Sequence, residues 1–149
     1  MIFPTLTSMT YLPDVNVWIA LTYDRHVHHA SASRWLTGIL DEEIFFCRVT
    51  ELGFLRLLTN RHVMQDDVLN PAQAWQTYDQ FRADSRIFFQ PEPSGFSEKW
   101  RRAEGEIANG PNAWTDAYLA IFAKQMNATV VTFDRGFKAI GGCAITLIS

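Results

Sequence analysis

Four acidic residues, Asp14, Glu51, Asp116 and Asp134, stand where apolar stretches of the chain give way to polar punctuation. Asp14 interrupts a series of interior-type residues, Leu12, Val15, Val17 and Ile19. A carboxylate there is costly unless it is hydrogen-bonded, paired or bound to a cation. Glu51 follows the apolar Ile44-Phe45-Phe46-Cys47, Asp116 lies in Trp114-Thr115-Asp116, and Asp134 closes the β-type run Thr129–Phe133. Each also has an ordinary structural reading, since helix starts favour acids and Asp before Arg-Gly suits a turn. Four acids in equivalent places call for more. Two carboxylates about 5 Å apart repel by roughly 3 kcal/mol at an effective dielectric near 20. Protons or a cation must relieve that. Oxygen-only donors favour Mg²⁺ or Mn²⁺ over zinc, and such an ion acidifies water and stabilises charge on phosphorus oxygens. Phosphodiester hydrolysis is the chemistry that follows.

Other chemistries lack their signatures. There is no GxxxxGK[ST] phosphate loop, no GxSxG elbow and no HExxH pair. Asp14-Val15-Asn16 also lacks the second aspartate of haloacid-dehalogenase-type phosphatases. Arg25, His26, His28 and His29 form a histidine-rich stretch with no matching Cys or His cluster elsewhere, which reads as a solvated loop rather than a zinc site. Cys47 and Cys143 are far apart in sequence and flanked by apolar residues, so they read as buried thiols.

The elements that must position the acids alternate between strand and helix. Strands are expected at Thr10–Leu12, Ile44–Cys47, Arg86–Phe89, Thr129–Phe133 and Ala144–Ile148, with helices at Val17–Tyr23, His28–Leu40 and Thr50–Leu58. A polar connection follows at Asn60–Asn70. Pro71, capped by Asn70, opens a helix burying Ala74, Trp75, Tyr78 and Phe81. Ser97 caps a polar helix running to about Ala108, with Lys99, Arg101 and Arg102 as its positive cluster, and a last helix opens near Thr115 with Leu119, Phe122, Ala123 and Met126 on one face. Such alternation implies a three-layer α/β/α domain with a central parallel sheet and right-handed crossovers. The acids fall on the carboxyl-end side of that sheet.

With 149 residues and 48% hydrophobic content, the chain reads as one domain, its core beginning near residue 9. Met9 is a second candidate start, because Met1–Ser8 carries little pattern. No apolar run approaches the roughly 20 residues of a membrane span, and no secretory pattern opens the chain, so a cytoplasmic protein is expected. A net charge of −3 argues against a broadly basic nucleic-acid surface and suits a cation-recruiting site.

Leu12-Pro13-Asp14-Val15-Asn16-Val17, Thr50-Glu51-Leu52-Gly53-Phe54-Leu55-Arg56-Leu57, Trp114-Thr115-Asp116-Ala117-Tyr118-Leu119-Ala120 and Thr132-Phe133-Asp134-Arg135-Gly136-Phe137 resemble the four motifs of PIN-domain ribonucleases, most closely the VapC toxins of type II toxin–antitoxin systems. The resemblance covers nearly the whole chain from about Met9. It implies that Asp14, Glu51, Asp116 and Asp134 form an acidic quartet binding Mg²⁺ or Mn²⁺, with Asn16 and Thr132 as supporting groups. It also implies endonucleolytic cleavage of RNA leaving a 5′-phosphate, a homodimer, and neutralisation by a VapB antitoxin. Arg25, Arg56, Arg135 and Lys138 are candidate phosphate contacts. The alternative is a PIN-like module that binds RNA or protein without cleaving; a flap-type DNA nuclease would share the chemistry.

Overall fold

The computed structural model describes residues 9–137 and 140–149. Five short strands, β1 (Thr10–Pro13), β2 (Glu43–Phe46), β3 (Ile87–Phe89), β4 (Thr129–Thr132) and β5 (Ala144–Leu147), form one sheet in the order β3-β2-β1-β4-β5. Every pairing is parallel. The helices are α1 (Val15–Thr22), α2 (His29–Thr37), α3 (Arg48–Leu58), α4 (Arg61–Met64), α5 (Pro71–Arg82), α6 (Phe96–Arg102) and α7 (Ala113–Gln125). The Met1–Ser8 lead-in and Lys138 lie outside the described residues.

Side-chain alternation along the strands divides the interior into two layers. Along β2 and the residue after it, Ile44 and Phe46 pack with Trp18, Phe54, Leu58 and Tyr78 from α1, α3 and α5, while Phe45 and Cys47 pack with α6 and α7. In β3, Ile87 and Phe89 point to the first layer and Phe88 to the second. The period of two thus gives a sheet apolar on both faces, as a parallel sheet between helices requires. Trp18 stacks on Phe46 with centroids 3.9 Å apart and planes at 15°, fixing α1 against β2. Cys47 and Cys143 are free and buried, as expected.

The connections explain where a crevice opens. From β1 the chain moves outward through β2 to β3 with α1–α5 on one face, then returns by α6 and α7 on the other face to place β4 on the opposite side of β1. The strand order reverses between β1 and β4, and ligands of open α/β sheets bind beyond the carboxyl ends at that switch point. Asp14 follows β1 and Asp134 comes two residues after β4.

Several boundaries differ from the sequence reading for local reasons. α3 begins at Arg48 because Cys47 and Thr50 form a reciprocal cap, in which the Cys47 amide donates to Thr50 Oγ1 at 3.0 Å. α7 begins at Ala113 after Asn112, so Thr115 lies inside the first turn and is not its cap. α6 ends at Arg102, and a separate 3-10 turn at Glu104–Glu106 replaces the expected continuation to Ala108. The Asn60–Asn70 connection holds α4, capped by Asn60, and a 3-10 turn. The cap of α5 is as read, with Asn70 and Gln73 bonding reciprocally.

Candidate active site

A cavity of about 340 Å³ at the switch point is lined by Asp14, Asn16, Gly53, Arg56, Asp116 and Asp134, with Val15, Leu57, Asn112, Thr115 and Leu119 completing its wall. Three of the four sequence-nominated acids therefore share one cavity. Asp14 is the N-cap of α1: its Oδ1 accepts the Val17 amide at 3.2 Å and its backbone amide donates to Val131 O at 2.9 Å. Its other carboxylate oxygen accepts a hydrogen bond from the Thr132 hydroxyl. Asp134 makes a turn, accepting the Gly136 amide at 2.8 Å, and its own amide donates to Thr132 Oγ1 at 3.0 Å. Thr132, fully buried at the end of β4, thus ties two acids together. Thr132→Val removes the donor to Asp14 and leaves the Asp134 amide without its acceptor. A loss of about 1–3 kcal/mol in chemical denaturation is expected.

Asp116 reaches the cavity from the first turn of α7. With Asn112, Thr115 and Leu119 it forms an i, i+3, i+4, i+7 stripe, the spacing that puts four side chains on one helix face. Its carboxylate has no hydrogen-bond partner among the described residues, which leaves its lone pairs free for a ligand.

The electrostatics carry the mark of crowded like charge. Burial first, and then the neighbouring charges of Asp134 and Asp14, together raise the Asp116 carboxyl to about 6. Asp14 is also raised, first by burial and then by Asp134, while the bonds from Thr132 and the Val17 amide pull it back. Both shifts favour a proton or a cation in the cavity. The donors are all oxygen, the set preferred by Mg²⁺ and Mn²⁺. Among the described residues, no three His, Cys, Asp or Glu side chains converge closely enough to enclose a metal unaided. The residues therefore fit a hard ion that retains water and takes oxygen from a substrate, rather than one caged by protein.

Glu51 does not join them. It is buried, 7% exposed, and sits at the fourth position of α3 with its Oε1 2.5 Å from Arg48 Nη1. On its other side is the Tyr78 hydroxyl, raised to about 12 by burial and then by Glu51, and bonded by Arg82 Nη1 at 2.9 Å. Arg48 also lies over the Phe89 ring, 4.6 Å from its centroid. The acidic quartet expected from the sequence is thus represented on the cavity wall by Asp14, Asp116 and Asp134, with Glu51 turned towards Arg48 and Tyr78. Positions two apart on a helix lie about 200° around its axis, so Gly53, not Glu51, faces Asp14 and Asp116. Sequence reasoning missed Gly53, Leu57, Asn112 and Thr115. The Cys47–Thr50 cap was the available signal, since it sets which face of α3 meets α1. Glu51→Gln is expected to cost about 1–3 kcal/mol by weakening the link between α3 and α5, while leaving the metal dependence of any activity unchanged. Denaturation and metal-titration curves on the same variant check this.

The other nominated residues separate similarly. Asn16 and Arg56 line the cavity. Arg25 is paired with Asp67 at 2.6 Å, and Arg135 is exposed in the turn after Asp134. Exposed Trp114 packs edge-on against Trp100 of α6, centroids 6.1 Å apart, and is not part of the acidic cavity's wall.

A match to the PIN domain family covers residues 11–142. The chain is 38% identical over 143 residues to Ribonuclease VapC41 of Mycobacterium tuberculosis, covering 93% of this chain and 98% of that one. The chain belongs to the PIN-domain family, within its VapC group. Ribonuclease VapC39 of the same organism is 33% identical over 126 residues, spanning 85% of this chain and 89% of its own. Among solved structures, VapBC2 from Rickettsia felis bound to a promoter DNA fragment superposes with a TM-score of 0.68 at 16% identity, covering 95% of this chain and all of that one. Mycobacterium tuberculosis VapC20, a Sarcin-Ricin loop cleaving toxin, superposes at 0.67 with 14% identity, covering 88% and 95%. These likenesses bear on the three-layer PIN fold alone. Among the described residues, no helix is long and apolar enough to cross a membrane.

Proposed function

We propose that this VapC-family protein is a divalent-metal-dependent endoribonuclease and the toxin of a type II toxin–antitoxin pair. The observation that carries the reading is the convergence of Asp14, Asp116 and Asp134 in one cavity at the switch point. Family membership narrows the substrate to RNA, since the relatives are ribonucleases by name. Mg²⁺ or Mn²⁺, when bound, lowers the pKa of a water and stabilises charge on the phosphoryl oxygens.

The chain's own residues do the rest. Asp116 presents uncommitted carboxylate oxygens to the cavity, Asp14 adds a carboxylate already oriented by Thr132 and the Val17 amide, and Asp134 adds a third from the turn after β4. Thr132 fixes the Asp14 rotamer from behind and keeps Asp134 close. Asn16 and Thr115 offer neutral hydrogen-bonding groups at the rim, suited to ribose or phosphate oxygen. The exposed backbone of a single strand can lie along the open side of the cavity while Leu57 and Leu119 form its apolar wall.

The partner is a VapB-type antitoxin, a reading that the solved VapBC2 and FitAB assemblies support by likeness of fold; the working form is a homodimer, as the motif resemblance implies. A cytoplasmic location follows from an RNA target. Incubating the purified protein with structured RNA in Mn²⁺, and in excess chelator, tests the activity: internal cleavage with the ion and intact RNA without it is the expected pair. Intact RNA under both conditions would leave a binding module. Cleavage of single-stranded DNA in preference to RNA would instead favour the flap-nuclease chemistry.

A further inference from the structure

We propose that Arg56 is a catalytic residue, its guanidinium binding the scissile phosphate across the cavity from Asp14 and Asp116. This rests on the ribonuclease reading above. Three observations carry it. First, the turn of α3 that faces the acids presents Gly53, Arg56 and Leu57, so its one charged group is a cation. No side chain can be added at Gly53 without disturbance, because a Cβ there would lie 2.7 Å from Val15 Cγ2. Second, Arg56 shares its cavity with three carboxylates and yet forms no ion pair or side-chain hydrogen bond among the described residues. Arg25, Arg48 and Arg86 each lie within 3 Å of a carboxylate oxygen, at 2.6, 2.5 and 2.7 Å. Space therefore separates the guanidinium from the acids, and an anion fits that space between a bound cation and an arginine. Third, the Arg56 side chain is exposed in the last turn of α3, open to a ligand from solvent.

Charge balance gives the arrangement its chemistry. Three carboxylates and one guanidinium sum to −2, which one divalent ion cancels; four carboxylates would sum to −4 and call for two. The arginine fork engages two phosphate oxygens at once and supplies positive charge where a second ion would otherwise be needed. Donors aimed at charge that grows in the transition state are worth about 10²–10³ in rate.

The test compares wild type, Arg56→Ala and Arg56→Lys on one RNA oligonucleotide, with Mn²⁺ binding measured separately by titration calorimetry without RNA. Arg56→Ala is expected to lower kcat about 10²–10³-fold with little change in KM, and Arg56→Lys to recover part of the loss. Both variants, like the wild type, are expected to bind one Mn²⁺ per chain. Wild-type cleavage with Arg56→Ala within threefold of it would overturn the assignment. So would two Mn²⁺ per wild-type chain, or a fall in Mn²⁺ affinity that accounts for the lost rate. A wild type that cleaves no RNA in Mn²⁺ would overturn the ribonuclease reading and this assignment together.

Discussion

Asp116→Asn is expected to lower RNA cleavage by at least about 10³-fold and, at the same time, to make the metal-free protein more stable at pH 7. The first effect follows from removing the acid whose oxygens are uncommitted: Asp14 and Asp134 each spend an oxygen on a backbone amide, whereas Asp116 spends none among the described residues. Loss of a metal-holding and charge-organising group removes several kcal/mol of transition-state stabilisation. The second effect has the opposite sign for a reason internal to the fold. The Asp116 carboxyl titrates near 6 in the folded protein, against an ordinary 3.8. The folded state therefore binds more protons between those values, and its stability falls as pH rises from about 3.8 through 6. Converted directly, the shift corresponds to about 3 kcal/mol, but Asp116 is only half-buried and solvent screens part of the repulsion, leaving about 1–2 kcal/mol. Asparagine keeps the shape and removes the charge. Melting in chelator should show the variant above wild type at pH 7, with the gap closing towards pH 4. Added Mn²⁺ should raise wild type and leave the variant nearly unmoved. A variant less stable than wild type at neutral pH would contradict the crowding of charge in the cavity.

What the sequence makes legible here is whatever depends on period and punctuation. Ile44-Phe45-Phe46-Cys47 reads as a buried strand because all four side chains are apolar, and the structure divides them alternately between the two layers. The join of strand and helix after Leu12 is equally plain, since Pro13 and Asp14 break an apolar series that resumes at Val15. Those joins locate Asp14, Asp116 and Asp134 in the right neighbourhood without any geometry. Glu51 lies where period and punctuation cease to decide. An acid near a helix start looks the same whether it turns towards the crevice or towards Tyr78, and only the phase of α3 decides. That phase is set by Cys47, an unusual cap whose sulfur lies 3.6 Å from Thr50 Oγ1. Serine or aspartate in its place would have marked the helix start at Arg48. The start of α7 was similarly hidden, because Asn112 makes no side-chain cap bond while Thr115 looks like a cap and is not one.

Gly53 offers a sharper test of the geometry than any acid, because two forces of known size act on it in opposite directions. It lies inside α3, where Gly→Ala ordinarily stabilises a helix by about 1 kcal/mol. Against that gain, the new Cβ would sit 2.7 Å from Val15 Cγ2, closer than carbon atoms approach without displacement. Overpacking of this kind costs about 1–3 kcal/mol. Val15 belongs to the first turn of α1, directly after Asp14, so the side chain cannot retreat without shifting the cap that holds the carboxylate. Gly53→Ala is therefore expected to destabilise the protein by up to about 2 kcal/mol and to slow cleavage about tenfold or more, since small misplacements of catalytic groups are costly. Trimming the obstacle should reverse the sign. In a Val15→Ala background the same substitution is expected to be stabilising, giving a coupling of about 2 kcal/mol between two positions 38 residues apart in sequence. Four denaturation curves complete the cycle. Additive effects would mean that α1 and α3 are not in contact where the crevice requires it, and that Arg56, one turn further along α3, does not face the acids.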